Sequence, residues 1–85
     1  MLVEIDVPDY SPEHGLRMKW EPDSRIVVEV REGVTLISAN RDGLVSLARL
    51  LLTLADPEVP PGNHWHLDEL NSLEPGSSEL IVEKL

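Results

Sequence analysis

The protein is a chain of 85 residues with a formal net charge of −9 and no cysteine. A chain of this length forms one domain and buries only about 60–65% of the surface that its unfolded form exposes, so its core is thin. The absence of cysteine excludes disulfides and thiolate metal ligands.

The acidic residues are concentrated towards the two ends of the chain. Residues 1–13 contain four acidic residues and no basic one, and residues 50–85 contain seven acidic residues and only Lys84. Nucleic acids and anionic membranes are therefore disfavoured as partners, because binding to phosphates depends largely on Lys and Arg. The charge favours a cationic protein partner, chiefly through the rate of association. The alternative is that the charge serves only solubility.

The N-terminal residues and the longest apolar run predict a soluble cytoplasmic protein. Met1–Asp6 contains acidic residues and lacks the basic start of a secretory signal. The longest apolar run surrounds Leu50–Leu54 and is broken by Arg49 and Thr53. It falls short of the ~20 residues that a helix needs to cross a bilayer.

Alternating apolar residues predict three strands in the first half of the chain. Leu16–Trp20 alternates apolar and basic residues, which is typical of a strand. Arg25–Arg31 and Val34–Ala39 are joined by Glu32-Gly33, where glycine can adopt a positive φ, so these two segments predict a hairpin. Leu2–Val7, which ends before a proline, is a candidate for an additional edge strand.

One helix is predicted between Asn40 and Pro57. The Asn40 side chain can accept a hydrogen bond from a free backbone N–H of the first turn, and the residue before a proline avoids the helical region. The apolar sector is wider than a surface helix needs, so the helix either lies deep against a sheet or presents one flank to another chain. The polar positions fall on one narrow stripe: Asp42, Ser46, Arg49, Thr53 and Asp56.

Two further strands are predicted after the helix. Asn63–Glu69 alternates, Glu79–Leu85 is rich in Ile, Val and Leu, and Leu70–Ser78 between them is a loop that contains Pro75-Gly76. The predicted fold is α+β in the order β-β-β-α-β-β. It consists of one helix packed on one face of a four- to five-stranded, mostly antiparallel sheet, with residues 1–85 forming one domain.

His64, His66 and Asp68 fall on one face of the first strand after the helix, since side chains alternate along a strand. Two histidines and a carboxylate are candidate ligands for zinc or another divalent ion. Such a site needs a further ligand, and the sequence places none nearby. The favoured alternative is a solvated polar face, with Trp65 and Leu67 packed under the helix.

No pattern in the sequence identifies an enzyme. The carboxylates show no spacing that would single out an acid–base pair, and the serines lack a nucleophile motif. The glycines fit turns and the start of the helix rather than a phosphate-binding loop. We therefore expect a non-enzymatic protein that needs no cofactor.

Two blocks of the sequence carry a family resemblance. The first runs from Gly33 to Ala48 (GVTLISANRDGLVSLA) and continues to Leu54-Ala55, and the second is Pro61–Asp68 (PGNHWHLD), followed after a loop by Glu79–Lys84 (ELIVEK). Together they resemble the immunity protein 32 family of bacterial polymorphic toxin systems, over about residues 33–85. The resemblance implies a small α+β protein that neutralises a toxin encoded beside it.

The charge distribution predicts that the later acidic residues bind the partner. If the target is a cationic toxin, carboxylates can occupy the sites where phosphates would bind. One alternative is a self-associating structural domain, such as a homodimer, in which a sheet face or edge strand pairs with its copy. A less favoured alternative is a metal-binding protein that uses His64, His66 and Asp68. The predicted partner-binding residues are Asp68, Glu69, Glu74, Glu79 and Glu83.

Overall fold

The structure is a computed structural model that describes residues 1–85. The α+β class is confirmed, and the chain contains a single α-helix. This helix lacks the length and hydrophobicity needed to cross a membrane. The elements in chain order are β1 (Ile26–Arg31), β2 (Val34–Ala39), α1 (Arg41–Leu54), β3 (His64–Leu67) and β4 (Leu80–Glu83).

The prediction of one four- to five-stranded sheet in the order β-β-β-α-β-β is wrong. The strands form two separate two-stranded antiparallel sheets, β1 with β2 and β3 with β4. Neither Leu16–Trp20 nor Leu2–Val7 forms a strand. The two end residues of Leu16–Trp20 pack against the core, and the Lys19 carbonyl accepts a hydrogen bond from the Arg49 side chain. This segment is therefore held by side-chain contacts and not by a strand ladder.

The outer edge of β1 is occupied by the loop of residues 74–78 and not by a third strand. Pro75 has no N–H to donate and Gly76 has a φ of 87°, so this stretch cannot form a regular ladder. The loop therefore connects the β3–β4 sheet to β1, but the two sheets do not merge into one. Three hydrogen bonds hold it on β1: Glu74 N–H to Ile26 O (2.9 Å), Ser78 N–H to Val28 O (2.8 Å) and Val28 N–H to Ser77 Oγ (3.1 Å).

The hairpin and the start of the helix form as predicted. Glu32 and Gly33 both have positive φ values, 49° and 79°, which suits a two-residue hairpin turn. Asn40 Oδ1 accepts hydrogen bonds from Gly43 N–H (2.8 Å) and Arg25 N–H (3.0 Å). Asn40 therefore caps α1 and also ties it to the residue before β1.

The core consists of eight apolar residues between α1 and the strands. Trp65 and Leu67 are buried, which confirms that this face of β3 packs inwards while the two histidines remain exposed. Trp65 Nε1 donates a hydrogen bond to Leu50 O at 2.8 Å, which fixes the indole ring against the helix. The eight residues are Ile26, Val28, Leu50, Leu54, Val59, Trp65, Leu67 and Leu73.

The polar stripe of α1 faces the interior of the protein. Ser46, Arg49 and Thr53 are buried, although they are the more polar residues of the helix. The opposite face carries leucines that are about half exposed. One flank of the wide apolar sector is therefore uncovered in the single chain. The exposed leucines are Leu44 (56%), Leu51 (50%) and Leu52 (48%).

Arg49 connects α1 to the N-terminal segment that covers the polar stripe. Its guanidinium donates to Asp6 O (2.9 Å), Lys19 O (3.3 Å) and the Glu21 carboxylate (2.8 Å). Ser46 Oγ adds a contact by accepting from Glu21 N–H at 2.9 Å. On the exposed side, the hydrogen bond from Lys19 Nζ lowers the pKa of the Asp6 carboxyl below its ordinary value. The buried polar groups thus serve to attach residues that form no regular structure.

Gly43 allows α1 to approach β1 closely. A Cβ atom at this position would lie 2.6 Å from Arg25 O and 3.0 Å from Ile26 Cγ1. Alanine is otherwise preferred over glycine inside a helix by about 1 kcal/mol. We nevertheless expect Gly43→Ala to lower the free energy of unfolding by about 1–3 kcal/mol, because the overlap forces the helix away from β1. Urea unfolding measures this change, and a variant at least as stable as the wild type would contradict the close approach.

Candidate functional site

The connection between β3 and β4 brings together three of the five predicted partner-binding carboxylates. We call residues 68–79 the acidic loop. Its surface contains a cavity of about 330 Å³. The cavity is lined by Asp68, Glu69, Leu70, Ser77 and Glu79.

The first half of the acidic loop is held in place by its own hydrogen bonds. Asp68 Oδ1 accepts from Leu70 N–H (2.9 Å) and Asn71 N–H (3.2 Å), which is an Asx turn. The Asp68 carbonyl accepts from Leu73 N–H at 2.9 Å. The Asn71 side chain accepts from Asp68 N–H (3.0 Å) and donates to His66 O (2.8 Å). The loop is therefore ordered before any partner binds.

Leu70 stands at the tip of this turn and is 96% exposed. Leu73 is buried and anchors the same turn in the core. Three carboxylates line the cavity beside Leu70. An apolar residue surrounded by polar or charged groups resembles the centre and rim of a protein–protein interface.

The carboxylates of the cavity have no lysine or arginine partner within the protein. Glu69 Oε2 accepts from Gly76 N–H at 3.0 Å, and Glu79 Oε2 lies 3.1 Å from His66 Nε2. No lysine or arginine forms an ion pair with any of the three acidic residues. A cationic surface can therefore approach without first displacing a lysine or arginine side chain of this protein.

Glu74 and Glu83 lie apart from this cavity. Glu74 is half-buried and lines a different cavity, of about 490 Å³, beside Arg25 and Asn40. Glu83 is exposed at the end of β4 and lies opposite His64 in the ladder. The structure thus divides the five predicted residues into a group of three and two separate positions.

The candidate metal ligands make hydrogen bonds of their own. His64 Nδ1 lies 3.2 Å from Gly62 O, and His66 Nε2 bonds to the Glu79 carboxylate. Asp68 accepts the two backbone hydrogen bonds of the Asx turn. The structure contains no group of three or more His, Asp or Glu side chains arranged to hold a metal ion. His64 and His66 lie on the exposed face of β3, and Asp68 directly follows this strand.

The comparison with protein families gives a match that covers more than half of the chain. The family model described as Immunity protein 32 matches residues 34–85. The chain belongs to the immunity protein 32 family. The resemblance inferred over residues 33–85 is therefore confirmed, and it indicates a toxin-neutralising binding role of a kind that is generally non-enzymatic. No curated protein and no solved structure matches the chain.

The segment matched by the immunity protein 32 family begins at β2 and contains α1, β3, β4 and the whole acidic loop. Arg49 lies inside the segment, whereas its hydrogen-bond partners at Asp6, Lys19 and Glu21 lie outside it. The candidate binding loop thus lies in the part of the chain that defines the family. The N-terminal segment to which Arg49 bonds lies outside that part.

Proposed function

We propose that this protein neutralises a cognate toxin by direct binding and that the acidic loop is the contact surface. The observation that supports this most strongly is Leu70, almost fully exposed beside three carboxylates that form no ion pair with lysine or arginine. Burial of Leu70 in a pocket of the toxin would supply affinity. The carboxylates would increase the rate of encounter and select a basic surface.

The toxin surface that fits this site is cationic with an apolar depression. A protein with a net charge of −9 attracts such a surface over distances up to about 10 Å at moderate salt. If the toxin acts on a phosphate-containing substrate, the carboxylates of Glu69 and Glu79 would occupy positions that phosphates take. Neutralisation then requires no chemistry from this chain, only occupation of the toxin's site.

The acidic loop is also suited to binding because it is already ordered. Loop residues 74–78 are bonded to β1, and Leu73 holds the first half in the core. Each side chain or loop that must be ordered on association weakens binding, so an ordered loop loses less free energy.

Co-expression with the product of the adjacent gene tests this proposal. We expect the wild-type chain to restore growth that the toxin inhibits. The double variant Glu69→Lys/Glu79→Lys should fail to do so, since it reverses the charge of the cavity. The double variant Glu4→Lys/Glu13→Lys is the matched control, because it changes the net charge equally at two exposed acidic residues of the N-terminal segment.

Three results bear on the proposal. Protection by the wild type and the control, with loss in the acidic-loop variant, supports the proposed contact surface. No protection by the wild type contradicts the function. Equal loss of protection in both double variants contradicts the acidic loop as the contact surface. Protection would then depend only on the net charge of the protein. Far-ultraviolet circular dichroism of both variants verifies that each remains folded.

A further inference from the structure

We propose that the free edge of β2 is a self-association surface, on which a second copy of this chain adds its own β2 strand in antiparallel orientation. The β2 edge is defined here as the side of residues 34–39 that faces away from β1. This proposal is independent of the acidic loop and goes beyond the toxin-binding role.

The register of the hairpin decides which backbone groups face outwards. Arg31 pairs with Val34 across a two-residue turn, so the bonded partners of β1 are Val34, Leu36 and Ser38. In an antiparallel ladder the hydrogen-bonded positions alternate, so the N–H and C=O groups of Thr35 and Ile37 point away from β1. No backbone hydrogen bond outside the helix and ladders involves residues 34–38. The β2 edge is therefore open.

The β2 edge also lacks the features that usually prevent strands from pairing. Natural edge strands carry charged residues, proline or bulges, or they are covered by a loop. The sequence of β2 is VTLISA, with none of these residues and six paired positions without a bulge. Its side chains at Val34, Leu36 and Ile37 are exposed. By contrast, the other edge of β1 is covered by the loop of residues 74–78.

The distribution of charge favours a second copy as the occupant. Residues 33–55 contain two arginines and one aspartate, a net charge of +1, whereas the rest of the chain has five basic and fifteen acidic residues, a net charge of −10. Two copies that each carry −9 repel one another, and this repulsion is weakest where carboxylates are absent from the contact. The β2 edge meets this condition, and so does the adjoining exposed face of α1. A cationic partner would gain little attraction from a neutral strand.

A two-fold axis at Ile37 produces a complete ladder. Pairing would join the outward groups of Ile37 to the same residue of the second copy, and those of Thr35 to Ala39. The result is a four-stranded sheet in the order β1-β2-β2-β1. The acidic loop lies beyond the opposite edge of β1, so each copy would still be able to bind a toxin.

Sedimentation equilibrium at increasing protein concentration tests the proposal. We expect the average mass of the wild type to rise from 9.5 kDa towards twice that value. Thr35→Pro removes only an outward N–H, which an edge strand tolerates, and should remain at the monomer mass. Thr35→Val keeps the N–H and is the matched control, so it should associate like the wild type. Circular dichroism verifies the fold of each variant.

A second variant tests the same proposal if Thr35→Pro unfolds the hairpin. Leu36→Lys leaves the β1 ladder intact and places one positive charge in each copy beside the pairing edge, so it should also stay monomeric. A wild type that remains monomeric at every concentration would overturn the proposal. It would also be overturned if folded Thr35→Pro and Leu36→Lys associate as strongly as the wild type. If the wild type is monomeric and Thr35→Pro no longer protects against the toxin, the β2 edge belongs to the toxin interface.

Discussion

Replacing Leu70 by alanine is expected to weaken toxin binding about thirtyfold, since truncating a residue at the centre of an interface costs about 2 kcal/mol. The side chain is almost fully exposed in the free protein, so its removal should leave the free energy of unfolding unchanged. Calorimetric titration with purified toxin measures the affinity, and thermal unfolding of the same variant measures stability.

Two other leucines provide matched controls for this substitution. Leu2 and Leu85 are as exposed as Leu70, but they lie at the two ends of the chain. We expect Leu2→Ala and Leu85→Ala to bind the toxin like the wild type. If Leu70→Ala also binds like the wild type, Leu70 is not the apolar centre of the contact.

Replacing Arg49 by methionine is expected to lower the free energy of unfolding by about 3 kcal/mol, because a buried guanidinium that bonds three partners is lost. Two of these partners are the backbone carbonyls of Asp6 and Lys19, which would be left without a donor. This is a large part of the stability of a domain of this size, about 4–13 kcal/mol. Urea unfolding measures the loss.

Arg41 on the same helix is the matched control for Arg49. It is exposed, so Arg41→Met should change the free energy of unfolding by no more than about 0.5 kcal/mol. Arg49→Lys should restore only part of the stability, because an ammonium cannot direct donors to three separate acceptors as a guanidinium does. Trypsin should also cleave after Arg17 and Lys19 faster in Arg49→Met than in the wild type. Equal stability of the two methionine variants would contradict the role of Arg49.

The elements that could be predicted from the sequence are those fixed by local signals. The cap at Asn40 needs only the next three residues, and the turn at Glu32-Gly33 needs only backbone preferences. The alternation around Trp65 likewise distinguishes a buried face of β3 from a polar one. These signals act over a few residues, so the structures that they predict do not depend on contacts with distant parts of the chain.

The sheet arrangement and the orientation of α1 depend on contacts that are distant in sequence. The alternation in Leu16–Trp20 is also satisfied by an extended segment that packs two side chains on the core without a partner strand. The polar stripe of the helix by itself suggests a solvated face. It is buried because Arg49 donates hydrogen bonds to the backbone carbonyls of Asp6 and Lys19, and the sequence does not reveal these distant contacts. Periodicity describes which residues share a face, but it does not say what covers that face.

The sequence predicts the negative charge of the candidate site but not the apolar residue at its centre. The excess of acidic residues after residue 50 predicts Asp68, Glu69, Glu74, Glu79 and Glu83 without ranking them, and the structure brings three of the five, Asp68, Glu69 and Glu79, to one cavity. Glu74 faces another cavity because the loop turns at Pro75-Gly76 between it and Glu79. Leu70 was missed because a single apolar residue in a loop has no periodicity. Its position directly after two carboxylates was the one available signal.

Hydrogen–deuterium exchange of the wild-type chain with and without its toxin is the most direct test of direct binding through the acidic loop. The backbone N–H groups of Leu70, Asn71 and Gly76 should exchange more slowly in the complex, while those of Thr35 and Ile37 should not respond to the toxin. Toxin-dependent protection confined to β2, or no protection anywhere in the chain, would contradict the proposed mode of neutralisation.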